Sequence, residues 1–203
     1  MDRTNEHPPV LPPPPAKLEA HGAVFFDVEG RLLVVKATYG SNPWGIPGGM
    51  AEPDEPPRAT VRREVEEEIG ILKEPGALLV VAWEPSRVRN LTEPQRAAGW
   101  SERIEDGVQL VFDGGVLTPE DIAAIRLDPT EMEDFAFLPV DQAVERMAPL
   151  HARWATAAVQ AREAGSVVYL EHGLPVSLSG SRRYWPAGLP RGRGRSGRLP
   201  PWA

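Results

Sequence analysis

Cysteine is missing altogether from this 203-residue chain. Its absence excludes a disulfide framework, a thiolate zinc site and a cysteine nucleophile. Also missing is any apolar run long enough to span a bilayer, and no charged-then-apolar leader opens the N-terminus. The expectation is a soluble cytoplasmic protein with no membrane contact. Acidic residues are absent from 173–203, where Arg182, Arg183, Arg191, Arg193, Arg195 and Arg198 stand instead. With those six arginines set aside, 16 basic residues face 29 acidic ones, so a chain of net charge −7 contains a main part of net −13. The net charge of −7 disfavours nucleic acid as a partner, although the charge is unevenly distributed.

The remaining composition divides the chain. Pro8-Pro9 and the run Pro12–Pro15 favour an extended, solvated polyproline II conformation outside any core. The Arg191-Gly192-Arg193-Gly194-Arg195 tract, with Tyr184, Trp185 and Trp202 nearby, superficially resembles an RNA-binding segment. A single short tract reads more simply as an unstructured tail. Three segments are therefore expected: 1–19 as a proline-rich extension, 20–172 as one domain, and 173–203 as a basic tail.

Within 20–172 the pattern alternates between strand and helix. Ala23–Phe26 and Arg31–Lys36 are apolar runs around Glu29-Gly30 and predict a β-hairpin. Short strands are expected at Trp44–Ile46, Leu78–Trp83, Val108–Phe112 and Phe135–Leu138, with an edge strand at Val167–Leu170 and Gly173 ending the compact part. Thr118-Pro119-Glu120-Asp121 carries the cap-then-proline signature of a short helix, and another helix is expected from about Asp141. Leu150, Trp154, Ala157, Ala158 and Ala161 share one helical face. Trp44 and Trp83 flank apolar runs and are expected in the core. The four histidines have no metal-ligand spacing.

The densest chemistry lies between Gly49 and Ile71. Pro56 and Pro57 suit a helix start, where a missing N–H costs little, and Gly70 suits the left-handed closing position. Between them Glu64, Glu67 and Glu68 stand at i, i+3 and i+4, so their carboxylates share one stripe. Val61, Val65, Ile69 and Leu72 form an adjoining apolar stripe that can bury against a sheet. Like charges so spaced repel by about 0.2–0.5 kcal/mol per pair on an isolated helix. A divalent cation turns that repulsion into coordination, and hard carboxylate oxygens suit Mg²⁺ or Mn²⁺.

Most glutamate runs are solvated faces. A solvated face, however, has no need of Gly49, Glu55, Arg63-Glu64-Val65, Glu67-Glu68 and Gly70-Ile71 at fixed offsets. Those positions fill every place of the Nudix box, and Trp44-Gly45-Ile46-Pro47-Gly48-Gly49 resembles the usual approach to it. The chain thus resembles the Nudix hydrolases, Mg²⁺-dependent enzymes that cleave a nucleoside diphosphate linked to another group. The resemblance implies a Nudix-type α/β/α sandwich with a mixed sheet over about 20–172. It also implies a metal ligand in the Gly49 carbonyl beside Glu64, Glu67 and Glu68, and a pairing of Arg63 with Glu55. The substrate implied is a small nucleoside diphosphate derivative, and a homodimer is compatible.

Members of this family differ in the general base, which leaves Glu64 first and Glu93, Glu102 or Glu105 second. The last three lie in the long polar stretch Glu84–Asp106, whose Arg87, Arg89, Trp100 and Arg103 are candidates for substrate contact. Signals of particular substrates are weak. The zone where diadenosine-polyphosphate hydrolases place a tyrosine reads Ser86-Arg87-Val88-Arg89, and Pro85 only approximates the proline of ADP-ribose pyrophosphatases. Two alternatives accompany this reading: a noncatalytic nucleotide sensor, and an RNA 5′-end pyrophosphohydrolase using the basic tail. Isopentenyl-diphosphate isomerase shares the fold, but its mechanism requires a cysteine.

Overall fold

The computed structural model describes residues 17–39, 44–88, 93–97 and 103–176. The strands are β1 (Leu18–Phe26), β2 (Leu32–Ala37), β3 (Trp44–Gly45), β4 (Gly48–Met50), β5 (Leu78–Glu84), β6 (Arg87–Val88), β7 (Arg103–Ile104), β8 (Gly107–Val116), β9 (Met132–Leu138), β10 (Val168–Glu171) and β11 (Leu174–Pro175). The helices are α1 (Pro57–Ile69), α2 (Glu93–Ala97), α3 (Pro119–Ala124), α4 (Val140–Arg146) and α5 (Pro149–Ala164). The main sheet runs β11-β10-β5-β8-β1-β2-β3, with β4 paired to β1 and β9 to β2. β1 lies parallel to β8 and β10 to β5, and the other pairs are antiparallel, so the sheet is mixed as expected.

Strand alternation builds two cores from one sheet. Ala23 and Phe25 of β1, with Leu33 and Val35 of β2, face α1 and bury Val61, Val65 and Ile69. Val24, Phe26, Leu32 and Val34 face the other way, toward α4 and α5, and bury Trp154, Ala157, Ala158 and Ala161. The result is the α/β/α sandwich. At the hairpin between β1 and β2 the buried Asp27 carboxylate accepts from the Glu29 and Arg31 N–H groups and from the Arg31 guanidinium at 2.5 Å. Burial alone raises its pKa, yet those donors outweigh it and hold the group below the usual carboxylate range.

Several expectations shift in detail. The apolar stripe of α1 does not continue to Leu72, which is 56% exposed; Ile71 is buried in its place. The reason is Gly70, whose left-handed cap (φ 70°) stops the helical periodicity before that position. β8 extends to Val116, beyond the expected Phe112, with its register to β1 shifting between Val24 and Phe25. β10 is not the edge, because β11 pairs with it around the His172-Gly173 turn. The sheet therefore runs slightly past both bounds of 20–172, and most of each tail lies outside the described residues. Trp44 and Trp83 are half-buried, not fully in the core; Trp83 meets the His172 ring edge-on at 5.3 Å. Thr118 and Asp121 form the expected reciprocal cap of α3.

The Ile71–Leu72 contrast can be measured by urea unfolding. Ile71→Ala is expected to cost about 2–5 kcal/mol, as buried aliphatic truncations do. Leu72→Ala is expected to stay within about 0.5 kcal/mol. Equal costs would contradict the placement of the cap.

Candidate functional site

β4 enters the sheet beside the first half of β1, with Ala20 opposite Met50, His21 opposite Gly49 and Gly22 opposite Gly48. This pairing presses a glycine turn against α1. Gly48 has φ 143°, and a Cβ on it would meet the His21 carbonyl oxygen at 2.3 Å. A Cβ on Gly49 would meet the Glu64 carboxylate carbon at 2.4 Å, so no larger residue fits between strand and helix. The backbone N–H of Gly48 donates to Glu68 Oε2 at 2.9 Å. Glu64 and Glu68 thus converge on the turn as the helical spacing requires.

Arg63 organises the opposite side of the stripe. Its Nε and Nη2 fork onto the two Glu55 oxygens, both at 2.9 Å. Nη2 also donates to the Met50 carbonyl at 2.9 Å, while Nη1 donates to Glu64 Oε1 at 2.8 Å and Glu67 Oε2 at 2.9 Å. All five guanidinium N–H groups are used, and one side chain ties loop, strand and helix together. The pairing of Arg63 with Glu55 is thus present. Glu67 is half exposed and held by Arg63, whereas Glu68 is 4% exposed.

Charge follows this geometry. The Arg63 hydrogen bonds hold the Glu55 pKa down to about 2 against partial burial. Burial pushes Glu68 up to about 8, with Glu64, Glu131 and Glu67 adding repulsion and the Gly48 N–H opposing. Burial likewise raises Glu64, while Arg63 pulls it down. Arg63 is itself held well above its ordinary value, chiefly by its bond to Glu55.

Two residues near the stripe escape sequence reasoning. Glu131 acts on both Glu64 and Glu68, and its carbonyl accepts from Thr38 N–H at 2.8 Å. Tyr39 is pushed up by burial and by Glu68, Glu131 and Glu64. Glu131 arrives from a segment remote from the box and Tyr39 from just past β2, the two brought together by the β2–β9 pairing. The acid-rich Glu131-Met132-Glu133-Asp134 was the only available hint. His21 is another case: it is 1% exposed beneath the glycine turn, and neither ring nitrogen has a hydrogen-bond partner among the described residues. Its Nε2 is 3.8 Å from Glu19 Oε2.

The donor set is oxygen only, carboxylates plus the carbonyl of a glycine turn, and in kind it fits a hard divalent cation. Among the described residues, no three His, Asp or Glu side chains are drawn together closely enough to hold an ion. Glu64 and Glu67 share Arg63 Nη1 as a donor. A depression of about 530 Å³ lies on the outer side of α1 and shares Arg63 and Glu67, but neither Glu64 nor Glu68 lines it. Glu68 meets the Gly48 N–H and Glu64 abuts Gly49 on the inner stripe instead.

The stretch 84–106 is described only in part. β6 and β7 pair as a separate two-stranded ribbon, and the short α2 falls between them. Arg87 is exposed on β6, Glu93 and Glu105 are exposed, and the backbone of Arg103 lies on β7. Arg89, Trp100 and Glu102 lie outside the described residues, as does the Arg103 side chain.

A family model described as NUDIX domain matches residues 17–158. Among solved structures, the MutT protein from Methanosarcina mazei Go1 has a TM-score of 0.50 at 22% identity, covering 73% of this chain and 95% of that one. A UDP-X diphosphatase has a TM-score of 0.51 at 20% identity, covering 77% of this chain and 68% of that one. Both likenesses concern the fold. The comparison with curated proteins returned no match. No helix among the described residues is long and apolar enough to cross a membrane.

The depressed Glu55 carboxyl contributes stability above its unfolded value near 4.5, and that contribution is lost as pH falls toward about 2. Glu55→Gln is expected to cost about 1–3 kcal/mol at pH 7. In denaturant titrations the gap between variant and wild type should narrow from about pH 4.5 down to pH 3. A gap of constant size would contradict the Arg63 assignment.

Proposed function

This chain belongs to the Nudix family of hydrolases acting on phosphorus-containing anhydrides, and on that premise we propose that it is a Mg²⁺- or Mn²⁺-dependent pyrophosphohydrolase of a nucleoside diphosphate linked to another group. One observation carries the reading: Glu64 and the buried Glu68 meet the Gly48-Gly49 turn on one helical stripe. Glu64, Glu67, Glu68 and the Gly49 carbonyl would hold the ion. When bound, the cation supplies charge neutralisation for the phosphates and for the attacked phosphorus.

The protein's own groups do the rest. Water is the nucleophile: its oxygen forms a bond to phosphorus, and the bridging P–O bond breaks to release two phosphate-bearing products. Glu64 accepts the water proton as general base. The Glu55–Arg63 fork holds the loop before α1 so that Glu64 and Gly49 keep their spacing. An acidic main part of net −13 repels phosphates, which makes the cation necessary for substrate approach.

A phosphate-release screen over nucleoside triphosphates, nucleotide sugars, dinucleotides and capped RNA, with Mg²⁺ or Mn²⁺, tests the reading. Hydrolysis of at least one class is expected. Glu64→Gln should then lose two or more orders of magnitude in kcat, the usual scale for removing a general base. Nucleotide binding without turnover across the panel would indicate a sensor. An active Glu64→Gln enzyme would move the base to Glu93, Glu102 or Glu105.

A further inference from the structure

No step of the hydrolysis draws on the buried imidazole of His21. Among the described residues it is the one buried side chain whose polar atoms have no hydrogen-bond partner, and both of its nitrogens are in that position. An imidazole kept in a core without partners forfeits the hydrogen bonds it makes in water. An apolar side chain of similar size would fill the same space without that loss. Departures of this kind concentrate at functional sites.

Strand geometry determines what the ring faces. Ala23 of β1 packs toward α1, so by alternation His21 does as well. On one flank β8 sets Leu110 level with it, which offers the ring nothing polar. On the other flank β4 sets Gly49 directly opposite. The space where a Gly49 side chain would lie is taken by the Glu64 carboxylate, whose Oε1 and Oε2 come to 2.5 and 2.4 Å of the ideal Cβ. Opposed residues of an antiparallel pair hold their Cβ atoms about 4.5–5.5 Å apart, which puts that carboxylate within about 8 Å of His21 Cβ. The imidazole reaches into this interval, so ring and carboxylate are neighbours on one face of the sheet.

Three carboxylates compete for the ring. Glu19 Oε2 stands 3.8 Å from Nε2, but the Glu19 side chain is 56% exposed and finds donors in water. Glu55 acts on the ring more weakly, and its two oxygens already accept from Arg63 and from the Glu52 N–H. The Glu64 side chain is only 13% exposed. Its Oε1 accepts from Arg63 Nη1 at 2.8 Å, and its Oε2 accepts from no donor among the described residues. A shielded acceptor gains most from a donor that water cannot replace. In either protonation state the imidazole carries at least one N–H.

We propose that His21 is a positioning residue of the carboxylate site, whose imidazole N–H donates to Glu64 Oε2 and holds that carboxylate over Gly49. Arg63 fixes the other oxygen, so the two donors together set the plane of the carboxylate. A small hard cation demands near-fixed oxygen geometry, which an unheld carboxylate does not supply. Groups that orient ligands without touching the ion set affinity in this way. The proposal rests on the metal-dependent pyrophosphohydrolase reading and extends that site to a strand that precedes the box in sequence.

His21→Leu and His21→Gln separate hydrogen bonding from packing, since glutamine keeps an N–H and leucine keeps only bulk. Melting in EDTA checks that each variant folds, and a Mg²⁺ titration of the melting temperature reads cation affinity. His21→Leu should need about tenfold more Mg²⁺ than the wild type for the same rise, the lower end of what outer ligand-orienting groups contribute. His21→Gln should stay within about threefold of the wild type. In ¹H–¹⁵N spectra of the metal-free protein, the His21 imidazole N–H should resonate downfield and lose that shift in Glu64→Ala. Equal Mg²⁺ requirements in wild type and His21→Leu, or a His21→Gln as impaired as His21→Leu, would overturn the proposal. So would an imidazole signal indifferent to Glu64. None of these readouts uses turnover, so an absence of hydrolysis across the substrate panel would sink the pyrophosphatase reading alone.

Discussion

A carboxylate buried among other carboxylates is the constraint around which this domain is arranged. Glu68 sits at 4% exposure with Glu64, Glu67 and Glu131 acting on it, and burial carries its pKa up to about 8. Holding it folded costs on the order of 3 kcal/mol at pH 7, a cost that grows as pH climbs from about 4.5 toward 8. Glu55 supplies a contribution of opposite sign and similar size, because Arg63 holds its pKa near 2. The two effects sit on one helix and its approach loop. Arg63 is therefore the counterweight that allows an acidic stripe to exist beside a glycine turn.

The rest of the fold serves to keep that stripe in register. β1 contributes to both cores by alternation, so the helix bearing the carboxylates and the helix bearing Trp154 are fixed to the same strand. β4 joins β1 at His21 and Gly22, which brings Gly48 and Gly49 under α1 with no space for a side chain between them. The β2–β9 pairing then delivers Tyr39 and Glu131 to the same neighbourhood.

What could be read in advance was whatever depends on local spacing. Helix α1, its proline start and its glycine stop, and the shared stripe of Glu64 and Glu68 all follow from periodicity within a short window. The same holds for the α3 cap and the apolar face of α5. The error at Leu72 was also local: periodicity was carried one position too far across the left-handed Gly70. Contacts joining distant segments were not legible. Glu131 acting on Glu68 depends on strand order, which no window of sequence encodes.

The central claim is that the Glu64–Glu68 stripe and the Gly48-Gly49 turn form a divalent cation site. Thermal melting with and without Mg²⁺ tests it most directly. At an ion concentration about 100 times the dissociation constant, binding stabilises the folded state by about 2.7 kcal/mol. For a domain of this size that raises the Tm by about 5–10 °C. The account predicts such a rise for the wild-type protein and its loss in Glu68→Gln. A melting temperature indifferent to Mg²⁺ and Mn²⁺, or an undiminished rise in Glu68→Gln, would contradict it.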